Sequence, residues 1–170
     1  MIPDVLVLDG GLATELEARG HDLAHPLWSA RLLDEEPDAL SAVHRAYLEA
    51  GADCITTASY QASLPGLEAC GFSPRRSREL LALSVKLARD VRDAFAAANR
   101  SPPDRPRPLV AASVGPYGAY LADGSEYDGR YGLSRSELRD FHDERLRLLL
   151  DAGPDLLAVE TLPSAIELRA

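Results

Sequence analysis

The chain has 170 residues, 46% of them apolar and 26% charged, so it can bury a core and is too apolar to be wholly disordered. Asp and Glu number 27 against 18 Lys and Arg, a formal charge of -9, and so acidic a surface repels phosphate backbones and excludes a nucleic-acid role. Two cysteines, Cys54 and Cys70, build neither a disulfide framework nor a closed four-cysteine zinc site.

The opening Met1-Ile2-Pro3-Asp4 has no basic region and is not a signal peptide. No apolar run approaches the ~18 residues of a membrane span. A cytoplasmic protein with no membrane partner is expected.

Four short apolar runs, Val5–Leu8, Cys54–Thr57, Leu109–Val114 and Leu156–Val159, are nearly continuous rather than alternating, as in parallel strands covered on both faces. Asp-Gly-Gly, Ser-Tyr-Gln, Val-Gly-Pro and Glu-Thr-Leu-Pro follow them. Between the first two, Pro37–Ala50 repeats apolar residues at helical spacing: Leu40, Val43, His44, Tyr47 and Leu48. Pro37 suits a first-turn position and Gly51 the stop. A longer helix is predicted over Pro74–Asn99, with Leu80, Leu81, Leu83, Leu87, Val91 and Phe95 on its face. The four prolines of Ser101–Pro108 mark a linker. Ser134–Ala152 opens on Ser134-Arg135-Ser136-Glu137, a capping box. Ala50-Gly51-Ala52-Asp53 and Ala152-Gly153-Pro154-Asp155 echo one another, each marking helix end, tight turn and strand start.

This order predicts a parallel α/β architecture, either a barrel or a doubly wound sheet. Strand starts near residues 4, 53, 109 and 155 give about 50 residues per unit. The last helical segment, Pro163–Ala170, has no C-terminal cap and no closing glycine. The chain therefore reads as the first half of a (β/α)8 barrel, about four parallel βα units. Residues 1–170 would form the N-terminal half, with the C-terminal half absent.

In such folds ligands sit at the carboxyl ends of the strands. Asp9 ends the first run and Glu160 the fourth, a pair able to hold an ammonium group. Gly10 and Gly11 let the backbone approach a ligand, and the N–H groups there could take a carboxylate. Together these residues would grip an α-amino acid. The plainer alternative is that Asp9 caps the segment Leu12–Arg19 and Glu160 pairs with an arginine. The glycines do not fit the G-x-G-x-x-G dinucleotide pattern. The long loop Gly115–Gly132 is either a ligand wall or a surface excursion held by aromatic anchors. His21, His25, His44 and His142 show no metal spacing, and Cys54 and Cys70 read as buried apolar residues.

Several segments resemble the homocysteine S-methyltransferase family. They are Asp9-Gly10-Gly11-Leu12-Ala13-Thr14-Glu15-Leu16-Glu17, Arg19-Gly20 and Pro26-Leu27-Trp28-Ser29-Ala30 near the start, and Ala50–Asp53 with Ile55-Thr56-Thr57 and Ser59-Tyr60-Gln61-Ala62 at the second run. Ser113-Val114-Gly115-Pro116-Tyr117-Gly118-Ala119, Leu121–Tyr127 and Glu160-Thr161-Leu162-Pro163 complete the match. The resemblance implies a (β/α)8 barrel and methyl transfer from S-methylmethionine or S-adenosylmethionine to homocysteine, giving methionine. It implies that Asp9 and Glu160 bind the homocysteine ammonium and that the N–H groups around Gly10 and Gly11 take its carboxylate. It also implies Zn²⁺ held by three cysteines in the barrel's second half. Neither Cys54 nor Cys70 matches a ligand position, so the chain alone is expected to be inactive. Two other readings are a non-catalytic half-barrel module, self-associating or pairing with a separate C-terminal half, and another (β/α)8 enzyme of amino-acid metabolism.

Overall fold

The computed structural model describes residues 5–98 and 105–170. The opening Met1–Asp4, Asn99 at the end of the predicted long helix, and Pro102 and Pro103 of the linker lie outside the described residues.

Three parallel strands, β1 (Cys54–Thr56), β2 (Leu109–Val114) and β3 (Leu156–Val159), form a sheet in the order β1-β2-β3. Each strand lies beside its predecessor, without the reversal that defines a doubly wound sheet. β2 is central, and Val110, Ala111, Ala112, Ser113 and Val114 are all buried, which explains its continuous apolar run.

The first predicted strand is reduced to one parallel bridge, Leu8 to Cys54. The Asp9 N–H donates to Cys54 O at 2.9 Å and the Asp53 N–H to Val7 O at 2.7 Å. The segment follows β1 at the sheet edge, where Val5, Val7 and Leu8 face solvent and bury too little surface to extend the ladder.

The helices are α1 (Leu12–Ala18), α2 (Leu32–Glu35), α3 (Pro37–Ala50), α4 (Leu64–Ala69), α5 (Pro74–Ala97), α6 (Tyr117–Leu121), α7 (Arg135–Asp151) and α8 (Ala165–Leu168). α3 buries Leu40, Val43, His44 and Leu48, the predicted face, against α5. α5 packs on α7 and on β2. The capping box is present: Glu137 Oε2 accepts the Ser134 N–H at 2.8 Å while the Ser134 hydroxyl accepts the Glu137 N–H. α8 begins on a Ser164 cap.

The sequence echo has a physical basis. Gly51 and Gly153 both take left-handed φ, 111° and 76°, which lets each chain turn directly from helix into strand. The aspartate that follows accepts a backbone N–H from the preceding strand: Asp53 Oδ2 from Val7 at 3.0 Å and Asp155 Oδ2 from Val110 at 2.8 Å. Each aspartate also pairs with an arginine, Arg105 and Arg92 respectively. This repeated clamp sets the register at the amino ends of the strands. Among the described residues no helix is long and apolar enough to cross a membrane.

Candidate functional site

The carboxyl ends of the strands deliver polar side chains to one rim. Asp9 leaves the edge segment and turns back to β1, where Thr56 holds it. The Thr56 N–H donates to Asp9 Oδ2 at 2.8 Å, and the Thr56 hydroxyl lies 3.0 Å from Oδ1. Asp9 thus does not cap α1, whose N-terminal flank is Gly11 with no side-chain cap. Burial pushes the Asp9 carboxyl up to about 6, against the Thr56 donors that pull it down, and the charge of Glu160 adds to the rise. Both acids thus stand at the carboxyl ends of the strands, Asp9 against the end of β1 and Glu160 directly after β3.

Glu160 follows β3, and its N–H continues the ladder to Val114 O at 3.2 Å. Its Oε1 accepts the Ser113 hydroxyl from the end of β2. Among the described residues no arginine pairs with it. Ser113 is itself fixed by a buried chain of hydroxyls. Its N–H donates to Thr57 Oγ1 at 3.0 Å, Thr57 and Ser59 hydroxyls lie 2.6 Å apart, and the Ser59 hydroxyl donates to Ser113 O at 2.7 Å.

Gly10 and Gly11 follow Asp9. A Cβ on Gly10 would stand 2.9 Å from Tyr47 Oη, so a side chain there would have to push the Tyr47 ring aside. Tyr47 in turn donates to Gly11 O at 3.1 Å and steadies the turn.

These groups border a cavity of about 320 Å³, within the range of small-molecule sites. Gly10, Gly11, Thr56, Ser113 and Glu160 line it, with Asp9 one step behind Thr56. Trp28, Tyr60, Glu126 and Tyr127 complete its wall. Trp28 and Thr161, both lining residues, take φ of 50° and 54°, a left-handed conformation that costs a non-glycine residue of order 1–3 kcal/mol and clusters at functional sites. A larger hollow of about 660 Å³ runs along the outside of α5, lined by Arg76, Glu79, Lys86 and Asp90. It contains no strand-end group, and its Arg76–Glu79 and Lys86–Asp90 pairs are those of a solvated helix face.

The loop Gly115–Gly132 is held by aromatic anchors and also borders the cavity. Tyr117 packs edge-on against Phe141 with centroids 4.9 Å apart, and Tyr120 and Tyr131 lie 5.5 Å from Tyr117. That anchor leaves Glu126 and Tyr127 on the cavity wall.

Thr56, Trp28, Glu126 and Tyr127 were not singled out as site residues by sequence reasoning, whereas Tyr60 falls in the stretch 57–61 expected at the rim. The Thr56-Thr57 pair at the end of a predicted strand and the acid-aromatic pair Glu126-Tyr127 in a long post-strand loop were the available signals. Strain at Trp28 and Thr161 had none.

Among the described residues no group of three or more His, Cys, Asp and Glu could hold a metal ion. Cys54 is wholly buried in β1, and burial pushes its thiol up to about 11, the reverse of what a thiolate ligand needs. Cys70, expected to be buried, is instead exposed, because it follows the short helix α4 as its C-terminal flank. These residues do not fit a zinc centre.

A profile described as homocysteine S-methyltransferase matches residues 6–170. The chain belongs to that family. It is 50% identical over 166 residues to homocysteine S-methyltransferase YbgG of Bacillus subtilis, covering 98% of this chain and 53% of that protein. It is 54% identical to homocysteine S-methyltransferase 2 of Zea mays, covering 97% of this chain and 50% of that one. The metallated form of the homocysteine methyltransferase MmuM from Escherichia coli superposes with a TM-score of 0.90 at 53% identity, over 97% of this chain and 56% of the other. The chain spans about half the length of these relatives.

Proposed function

We propose that residues 1–170 form the N-terminal half of a homocysteine-binding (β/α)8 barrel whose complete protein is a cytoplasmic homocysteine S-methyltransferase. The sequential, unreversed strand order and the match to about half of each relative support the barrel. The observation that carries the function is the convergence of Asp9, Glu160, Gly10 and Gly11 on one rim at the carboxyl ends of the strands.

On this reading the two carboxylates take the homocysteine ammonium by charge-assisted hydrogen bonds. Thr56 and Ser113 fix their orientations, and the backbone at Gly10 and Gly11 approaches the substrate carboxylate. The acceptor sulfur then attacks the methyl carbon of a sulfonium donor. The new S–CH₃ bond forms as the old one breaks, the bonding pair leaves with the donor sulfur as a neutral thioether, and the thiol proton passes to solvent water. S-Methylmethionine and S-adenosylmethionine both carry such a cation. The aromatic rings of Trp28, Tyr60 and Tyr127 with the Glu126 carboxylate suit its charge. MmuM has a metallated form, and a zinc ion held by residues other than these would activate the thiol.

The test is methionine formation from homocysteine and S-methylmethionine by the full-length protein carrying these residues. Asp9→Asn and Glu160→Gln should each lower kcat/KM about 100-fold or more, as loss of one partner to a bound charge implies. Unchanged rates in both variants would refute the site. Residues 1–170 alone should form no methionine and hold no stoichiometric zinc.

A further inference from the structure

We propose that Arg145 is a positioning residue that sets the donor side of the cavity; this rests on the function proposed above. Arg145 sits on the inner face of α7, in helical register with Leu138, His142 and Leu149, and only 1% of it is exposed. It does not line the cavity. Its guanidinium reaches the backs of two rim loops: Nη1 donates to Gly115 O at 3.0 Å, and Nη2 to Ser59 O and Tyr60 O at 2.7 Å each. Among the described residues no carboxylate forms an ion pair with it, and its Nε has no hydrogen-bond partner.

Burying a cation is costly even with the Glu167 charge nearby to favour it, and a leucine would continue the apolar face. What the arginine supplies is geometry. Three carbonyls from the loops after β1 and β2 turn toward one rigid planar group, which a lysine could not span. Tyr60 O also accepts the Gly115 N–H at 3.2 Å, so the loops are joined twice at that point. On the other side of Pro116 the Tyr117 N–H donates to the buried Glu167 at 2.6 Å, and His142 Nε2 lies 2.8 Å from the same oxygen. A buried cation and a buried anion thus grip the chain on either side of Pro116. From there it runs to Glu126 and Tyr127. Arg145 therefore fixes Tyr60 relative to the segment that carries Glu126 and Tyr127, all three of which line the cavity. Asp9 is held independently, by Thr56.

The experiment uses Arg145→Lys and Arg145→Met in the full-length protein, with donor and homocysteine varied separately. In Arg145→Lys the KM for S-methylmethionine should rise about tenfold or more, as ångström-scale misplacement implies, while the KM for homocysteine, felt only indirectly through the Ser59–Ser113–Glu160 chain, should rise no more than about threefold. Arg145→Met should move in the same direction and further. A purely structural role would lower the melting temperature and the active fraction without separating the two constants. Equal rises in both, or an unchanged donor KM, would overturn the proposal. Hydrogen exchange separates this from the enzymatic reading. Peptides covering 57–61 and 115–127 should exchange faster in Arg145→Lys while α5 does not change. Unchanged exchange there overturns the clamp even if no methyl group is transferred; faster exchange in an inactive protein removes the function and leaves the clamp standing.

Discussion

Thr56 donates both its backbone N–H and its hydroxyl to the Asp9 carboxylate, tying the end of the edge segment to the end of β1. These donors stabilise the ionised form that an ammonium ligand needs, while burial works against it. Thr56→Val keeps the N–H and removes the hydroxyl, so the Asp9 carboxyl should climb above about 6. A charge-assisted hydrogen bond of about 1.5–3 kcal/mol is lost, and the KM for homocysteine at pH 7 should rise about tenfold. Raising the pH to 8 should narrow the gap, because the carboxyl is then ionised again. Steady-state kinetics at both pH values check this.

Two groups oppose each other below neutrality. Asp9 is raised from 3.8 to about 6, so the folded state binds its proton more tightly, and stability rises as pH falls through that window. His44, buried with neither ring nitrogen bonded, is lowered from 6.5 to about 4, so the unfolded state binds its proton more tightly, and stability is lost as pH falls. Each contribution is about 3 kcal/mol at most, and they nearly cancel. Denaturant unfolding between pH 7 and 4 should give a shallow profile. Asp9→Asn should steepen the loss toward acid, and His44→Leu should reverse its sign. A single slope shared by all three proteins would contradict this.

Glu160 is oriented by Ser113, which the Thr57–Ser59 hydroxyl chain holds. Ser113→Ala frees the carboxylate to rotate but keeps its charge. It should lower kcat/KM by about tenfold, the value of one such bond, against the much larger loss in Glu160→Gln. The ordering of the two variants is the measured outcome.

Gly115 has Tyr60 O where a Cβ would stand, 2.6 Å away. The obstacle is backbone and cannot swing aside, so Gly115→Ala must open the joint between the two loops. A destabilisation of about 1–3 kcal/mol is expected, read as a fall in melting temperature. Gly20→Ala serves as a control for backbone strain alone, because Gly20 has φ 91° and open space around its Cβ.

Much of the fold was legible in the sequence because its long helices follow local rules. α3 has the predicted bounds because Pro37 opens it and Gly51 closes it, and α7 starts at the predicted capping box. β2 and β3 match their apolar runs, while β1 ends one residue earlier than expected. The short helices α2, α4 and α6 escaped, since pieces of four to six residues are held by packing rather than by propensity. The run Val5–Leu8 has the composition of a covered strand, yet its exposure at an edge leaves a single bridge. At the site, the fold rule brought Asp9, Gly10, Gly11 and Glu160 to one rim, but it could not give their partners. Arg145 was invisible for a related reason: a charged side chain at a helix position ordinarily signals solvent, and only the neighbouring carbonyls reveal otherwise.

Both margins of the sheet end in bare hydrocarbon: Val5, Val7 and Leu8 on one flank, Leu157, Val159, Ile166 and Leu168 on the other. Surfaces of this kind are sticky in water. The isolated 170-residue polypeptide should bind a fluorescent apolar dye strongly and precipitate as its concentration rises. Charged replacements at Val5 and Ile166 should quench the dye signal and restore solubility while leaving the helical circular-dichroism spectrum unaltered.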